Sequence, residues 1–332
     1  MKNIHTINQN IDNRYLDLFY SLYKKEKNIN YFMSDIKLSI AYCLSIKDTI
    51  TITLSDNEIL LGHCSIIKSK EVSNEGTAYF GFFESPENEV DFKLFWENIV
   101  IEAKKQNIKK LIGPINGSIW FPYRFINSSD KSDLFKGELP TSPFYNNYFF
   151  KLENKKIITY SSGIRKNFDL IIEATKKSYE LLKDTGLKIE ALSEVSEKTL
   201  IEIHQLAGEV FFNKSVAYED FPVSNFLQLY SKDKMKDLFR TYIVKKGTDL
   251  IGFCNVFYEE EKVIILKTLA IHPLFQKQGI GSAIAYLIHS DAKKNKVEKI
   301  IYALVRDDNN IKFFPKDDVI NIRKYSLFEI NI

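Results

Sequence analysis

The sequence predicts an α+β protein built from two tandem copies of one mixed, mostly antiparallel topology. Three observations predict it. The chain has 332 residues, 45% of them hydrophobic, which is enough for two domains of ordinary size with a core in each. Two long stretches each run through helices, a three-strand meander, a helix and a strand. Within the second stretch, a β-branched run, a Gly-rich turn and an amphipathic helix follow one another directly between Val263 and Ile288.

In the first stretch, Tyr15, Leu18, Phe19 and Leu22 share one face of a predicted helix from Arg14 to Lys24, and Ile36 to Leu44 reads as a second short helix. Strands follow at Thr51 to Leu54, Ile59 to Lys68 and Thr77 to Glu84, separated by turn-forming residues. Phe92, Phe95, Ile99 and Ala103 then align on a helix from Asp91 to Lys105, and Lys110 to Gly113 is a strand. Tyr148 to Leu152 and Lys156 to Ile164 read as a closing hairpin. The predicted first domain therefore spans 1–165.

A helix from Phe168 to Thr185, with Ile171, Ala174, Ser178 and Leu181 on one face, connects to the second copy, and the predicted second domain spans 166–332. A strand at Leu187 to Leu192 precedes a helix from Ser196 to Phe212. A loop over Asn213 to Pro222, a short helix from Val223, and strands at Arg240 to Lys245, Leu250 to Tyr258 and Val263 to Ile271 come next. The Gly-rich turn, its helix and a strand at Lys299 to Val305 complete the copy.

That turn has the chemistry of an anion site. The unpaired N–H groups of a helix's first turn, here Gln278 to Ser282, point out of its end and the helix dipole adds positive charge there. Gly279 and Gly281 lack a Cβ, so a diphosphate can approach the backbone closely. Spacing rules out two phosphate motifs. A nucleotide P-loop needs Lys and Ser/Thr after its last glycine, where this chain has Ser282 and Ala283; a dinucleotide fingerprint needs Gly or Ala where Ile284 stands. In the first copy the matching turn, Ser85 to Asp91, has no glycine and three acids, which would serve the helix themselves and repel a phosphate. Diphosphate binding is expected in the second copy alone, with the first as a scaffold that can also wall the site.

Composition narrows the function classes. Net charge is +3, with basic residues spread among nearly as many acids, so no nucleic-acid stripe is expected. Cys43, Cys64 and Cys254 stand singly among apolar residues, which argues for reduced buried thiols and no metal site. No run approaches a membrane span and the N-terminus lacks a signal-peptide core, so the expectation is a cytoplasmic protein with no membrane partner, as a monomer or homodimer.

Gln276-Lys277-Gln278-Gly279-Ile280-Gly281 resembles the (Arg/Gln)-x-x-Gly-x-(Gly/Ala) loop of the GNAT acetyltransferase superfamily. The whole chain resembles bacterial proteins with two tandem GNAT domains, through Leu111 to Trp120 with Tyr123-Arg124, Leu266 to Ile271, and Ile322 to Leu327. The resemblance implies an N-acetyltransferase that moves acetyl from acetyl-CoA directly to a primary amine, most simply of a small molecule. It implies coenzyme contacts from Gln276, Lys277, Gln278, Gly279, Ile280, Gly281 and Ser282, backbone N–H groups at Leu269, Ala270 and Ile271 beside the thioester, and Asn309 or Asn310 near the coenzyme.

Acid and base are less legible. Pro315 argues against the helix whose tyrosine usually protonates the leaving thiolate, which leaves Tyr302 and Tyr325 as candidates, each also readable as a buried structural tyrosine. The usual base position falls near Ile265. Glu219, Asp220, the acids at 259–261, His272 and His204 are the nearby titratable groups, and each has a structural reading too. The acceptor is expected over the loop holding Tyr218, Glu219 and Asp220, whose carboxylates would attract an amine, or against Trp120, Tyr123 and Arg124. A CoA-binding sensor without catalysis is the alternative, and a tRNA-dependent ligase is disfavoured by the mild charge.

Overall fold

The structure, a computed structural model, describes residues 2–8, 10–68, 76–212, 217, 219–309, 315 and 318–332. The chain forms two compact units, 1–160 with 323–332 and 161–322. The predicted division at 165 thus misplaces the C-terminal strand, which hydrogen-bonds into the first unit.

In the first unit, strands β1 (Lys2–Asn8), β2 (Asp48–Asp56), β3 (Ile59–Lys68), β4 (Thr77–Glu84) and β5 (Lys110–Gly113) lie in sequence order, and β13 (Val319–Asn331) follows β5. Neighbours are antiparallel except β4 and β5, and β6 (Phe125–Ser129) also pairs with β13. The register Phe328↔Gly113 to Asn331↔Lys110 is what carries the chain's end into this unit. Helices α1 (Arg14–Tyr23) and α2 (Ile29–Ile46) precede the meander. Helix α3 (Glu89–Lys105) buries Phe92, Phe95, Trp96 and Ile99 against Phe80, Phe83, Phe125 and Phe328, together with Tyr145, Tyr148 and Phe149 of α4 (Pro143–Phe149). An expected strand at Tyr148 to Leu152 is instead the end of α4 and its turn. Its aromatic composition suits a strand, but Ser142 caps the helix by accepting from Phe144 N–H (3.3 Å) and Pro143 sits in the first turn.

In the second unit, the order is β7 (Lys155–Arg165, whose last residues belong here), β12 (Lys299–Arg306), β11 (Val263–Ile271), β10 (Asp249–Glu260), β9 (Leu238–Lys246) and β8 (Leu187–Leu192). Helices α5 (Asp169–Leu182) and α9 (Ile280–Lys294) cover one face, burying Ile171, Leu182, Ile280, Ile284 and Ile288 against Tyr242, Val244, Cys254, Val256 and Ile264. Helix α6 (Glu197–Phe211) packs on β10 and β11, and α7 (Val223–Leu229) packs on α6. A short α8 (Lys232–Met235) leads into β9. The buried face of α5 is Ile171, Thr175 and Leu182, not the expected one, since Ala174 and Leu181 are exposed. Both sets have helical spacing, and Thr175 hides its hydroxyl by donating to Ile171 O.

Candidate functional site

The parallel pairing of β11 with β12 runs from Val263↔Lys299 to Leu266↔Tyr302 and stops there. Each strand has a local cause for leaving the other. In β11 the register against β10 slips between Leu266↔Val256 and Thr268↔Asn255, a bulge at Lys267 that bends the strand. In β12, Leu304 takes a left-handed conformation (φ 55°), and its N–H is held by Ser162 Oγ of β7 at 2.9 Å. Such a backbone costs about 1–2 kcal/mol for a residue with a Cβ, and strain of this kind collects at functional sites. A notch opens between the two strands toward their C-terminal ends.

Alternation decides which groups face the notch. His272 N–H donates to Ile251 O at 2.9 Å, so Ala270, two residues earlier, also turns its N–H to β10. The N–H groups of Leu269 and Ile271 point the other way. Of the expected trio, Ala270 is therefore committed to the sheet. The Leu269 side chain is 45% exposed.

At the end of β11 the loop 276–282 turns into α9. Lys277 and Gly279 are left-handed (φ 62° and 82°), and Gly279 is the N-cap with no side-chain cap. Among the described residues no acceptor is found for the backbone N–H groups of Lys277 to Ser282. The side chain of Gln276 donates to Ile271 O (2.8 Å) and that of Gln278 to Leu274 O (3.1 Å), so both brace the loop. Ile280 is a core residue, whereas Gly281 and Ser282 are half-buried. Asn309 is exposed in the turn after β12, its N–H on Arg306 O (3.1 Å); Asn310 lies outside the described residues.

The first unit shows the same splay filled by its own chain. Parallel pairing of β4 with β5 ends at Tyr79↔Ile112, and the segment after β5 folds back: Ile115 N–H donates to Phe80 O (2.8 Å), and Asn116 Oδ1 accepts from Phe82 N–H (2.7 Å). Asn116 is fixed in turn by Pro122 O (3.1 Å) and Ser39 Oγ (2.6 Å). A Cβ on Gly81 would stand 2.1 Å from Ile115 O, so backbone lies on backbone and nothing else fits between. The start of α3 is served by Asn88, whose Oδ1 accepts from Asp91 N–H at 2.9 Å. The turn's acids were expected to take this role themselves; the cap is instead the neutral Asn88, whose Nδ2 donates to the Asp91 carboxylate at 2.6 Å.

The candidate acid and base residues are scattered. Tyr325 lies in the first unit, 1% exposed, with its hydroxyl donating to Glu138, which also takes two 2.7 Å bonds from Arg323. It is a buried structural tyrosine, and the proton-donor expectation for it falls. Tyr302 marks the last pair before the notch. Its hydroxyl meets His289 Nε2 at 2.6 Å and accepts from Arg165 Nε at 2.8 Å. Burial pushes this phenol up to about 12 and His289 down to about 4. Arg165 continues to Asp318 and to Pro315 O (2.6 Å). Glu219 is 4% exposed, Asp220 is exposed, and Tyr218 lies outside the described residues. Phe221 packs down, its carbonyl taking His204 Nε2 at 2.6 Å. His272 Nε2 lies 3.3 Å from Glu209 while its Nδ1 accepts from Leu274 N–H (3.3 Å). Trp120 belongs to the first unit and is half-buried.

Sequence reasoning missed one chain of side chains on β9, β10 and the residue that caps the end of α7. Thr241 Oγ1 donates to Asn255 Oδ1 (3.0 Å), and Asn255 Nδ2 donates to the Tyr230 hydroxyl (3.0 Å), with Asn255 directly opposite Thr268 at the β11 bulge. A polar Asn inside the β10 run was its only signal. Among the described residues no group of three metal-ligating side chains occurs, and no helix is long and apolar enough to cross a membrane.

The strand pair that parts at a bulge, followed by the uncapped Gly-rich turn, agrees with sequence comparison, in which the Acetyltransferase (GNAT) family matches residues 200–316. The second unit is a GNAT-family domain. Over the whole chain the fold is similar to that of a tandem GNAT protein from the clavulanic acid biosynthesis pathway, at 10% identity and TM-score 0.56, covering 99% of this chain and 98% of that one. A GCN5-related glucosamine N-acetyltransferase region of a fungal multi-domain β-N-acetylglucosaminidase is similar at 11% identity and TM-score 0.59; 99% of this chain spans 38% of that one. A probable N-acyltransferase from Enterococcus faecalis V583 is similar at 12% identity and TM-score 0.55, over 99% of this chain and 72% of that one. No curated protein matches the sequence.

Proposed function

We propose that the chain is an N-acetyltransferase that carries acetyl from acetyl-CoA to a primary amine of a small molecule by direct transfer. The observation that carries this reading is the notch between β11 and β12, which ends on a loop of unpaired N–H groups at the start of α9. The diphosphate would lie on the N–H groups of Lys277 to Ser282, where the dipole favours negative charge. The pantetheine arm would run beside β11 and pair with Leu269 and Ile271 as an added strand would. The thioester carbonyl would then take a backbone donor where charge develops as the amine attacks, an interaction typically worth about 3 kcal/mol. As the C–S bond breaks, the thiolate accepts the proton released by the amine. Tyr302, held between His289 and Arg165, supports the geometry of β12 and is a poor direct donor. Asp220 is the exposed carboxylate of the acceptor loop and would attract a cationic amine.

That same engagement of Tyr302, with Ile265 at the usual base position, favours a second reading in which the GNAT domain binds the coenzyme without transfer. Thiol release from acetyl-CoA across a panel of primary amines separates the two. Gly281→Glu tests the site itself. A Cβ at Gly281 has only Ile271 Cδ1 at 3.4 Å, so the domain should fold, while the carboxylate would repel the diphosphate. Calorimetry should show acetyl-CoA binding lost, and unchanged affinity would remove the assignment.

A further inference from the structure

Helix α5 closes one side of the turn that opens α9. The two helices lie antiparallel. Lys293, near the end of α9, pairs with Asp169 at the start of α5 (2.5 Å), and Tyr286, in the second turn of α9, stacks on Tyr179 near the end of α5, with ring centres 4.7 Å apart. This packing sets Ser178 beside Gly279. Apart from its chain neighbours, a Cβ built on Gly279 would meet nothing within 4 Å except Ser178, at 3.6 Å from its Cβ and 3.7 Å from its Oγ. Apart from its own helix backbone and neighbours, a Cβ built on Gly281 would meet only Ile271 Cδ1, at 3.4 Å. Among the described residues, the space over both glycines is otherwise open, and Ser178 stands at its edge. The serine is half-buried, and its hydroxyl has no hydrogen-bond partner among the described residues. Thr175, one turn earlier on the same helix, does bond its hydroxyl to a carbonyl, Ile171 O at 2.5 Å.

Backbone donors at a helix N-terminus point along its axis, so a diphosphate seated there has oxygens turned sideways that they do not reach. We propose that Ser178 is a coenzyme ligand, its hydroxyl donating to a diphosphate oxygen of acetyl-CoA held on the N–H groups of Lys277 to Ser282. Rotation about the serine χ1 carries the hydroxyl over the gap at Gly279, so an oxygen approaching this backbone comes within its reach. A hydrogen bond to an ionised oxygen is stronger than one between neutral groups. Helix α5 lies outside residues 200–316, the span matched by the family, so the contact belongs to the connecting helix and not to the Gly-rich loop itself. The inference rests on the coenzyme reading above.

Calorimetry on the full chain at constant ionic strength, with acetyl-CoA as the probe, tests the contact. Wild type should bind, and Ser178→Ala should weaken binding by about tenfold, the worth of one hydrogen bond to a charged group. Alanine suits a helix, so the melting temperature of the ligand-free variant should stay unchanged or rise slightly. Ser178→Asp sets a carboxylate beside the diphosphate and should bind more weakly than the alanine variant; if it does not fold, the alanine variant alone decides. No binding by wild type would remove the coenzyme reading and this inference with it. Wild-type binding with unchanged affinity in Ser178→Ala would overturn the contact alone. A loss in Ser178→Ala that comes with a lower melting temperature would assign the serine to helix packing, and an aspartate variant that binds as well as the alanine one would place the diphosphate elsewhere; each overturns the proposal.

Discussion

Buried ionisable side chains of the first unit carry much of its specificity. Arg323 and Glu138 are both fully buried and joined by two 2.7 Å bonds, with the Tyr325 hydroxyl on the same carboxylate. Glu138→Gln leaves the guanidinium without its counter-charge, and chemical denaturation should show a loss of about 3–5 kcal/mol. Glu84 is 2% exposed and takes the hydroxyls of Tyr145 (2.7 Å) and Tyr23 (3.0 Å), yet burial pushes its carboxyl up to about 8. The folded chain therefore keeps a proton that the unfolded chain releases near 4.5, so stability falls as pH rises toward 8. Burial holds His63 and His289 near 4, which works in the opposite direction below 6.5, so the Glu84 effect is read between 6.5 and 8. Over that window wild type should lose about 2 kcal/mol. Glu84→Gln should flatten the slope, and a slope equal to wild type would contradict the assignment.

Among the elements, the junction of β11, its loop and α9 makes the sharpest test, because its two glycines do different work. Gly279 is left-handed, so Gly279→Ala should destabilise the chain by about 1 kcal/mol. Gly281 is an ordinary helical position, where alanine should leave the melting temperature unchanged or slightly raised. Both methyl groups would stand where the proposed diphosphate approaches, so calorimetry should show weaker acetyl-CoA binding in both variants. Weakening in Gly279→Ala alone would tie the loss to backbone strain. The counterpart in the first unit cannot be tuned so gently: a Cβ on Gly113 would stand 2.3 Å from Phe80 O, and Gly113→Ala should cost several kcal/mol because neither backbone can yield.

For the molecule as a whole, the filled splay between β4 and β5 predicts one acetyl-CoA per chain, and a calorimetric stoichiometry of two would contradict it. A chain ending at Ile322 should lose hydrogen-exchange protection over Lys110–Gly113, since β13 is the antiparallel neighbour that covers β5. Local patterns in the sequence determined most elements, the tandem repetition, and the Gly-rich turn that opens α9, because helix period, strand composition and turn chemistry act over a few residues. The family resemblance put Tyr325 forward as a proton donor, and helical spacing put Ala174 on the wrong face of α5. Nothing local says that β13 pairs with β5, that a strand end kinks at Leu304, or that the first splay is filled by Ile115 and Asn116. Long-range pairing decided these, because hydrogen-bond partners distant in sequence fix which N–H groups are spent inside the sheet and which point out of it.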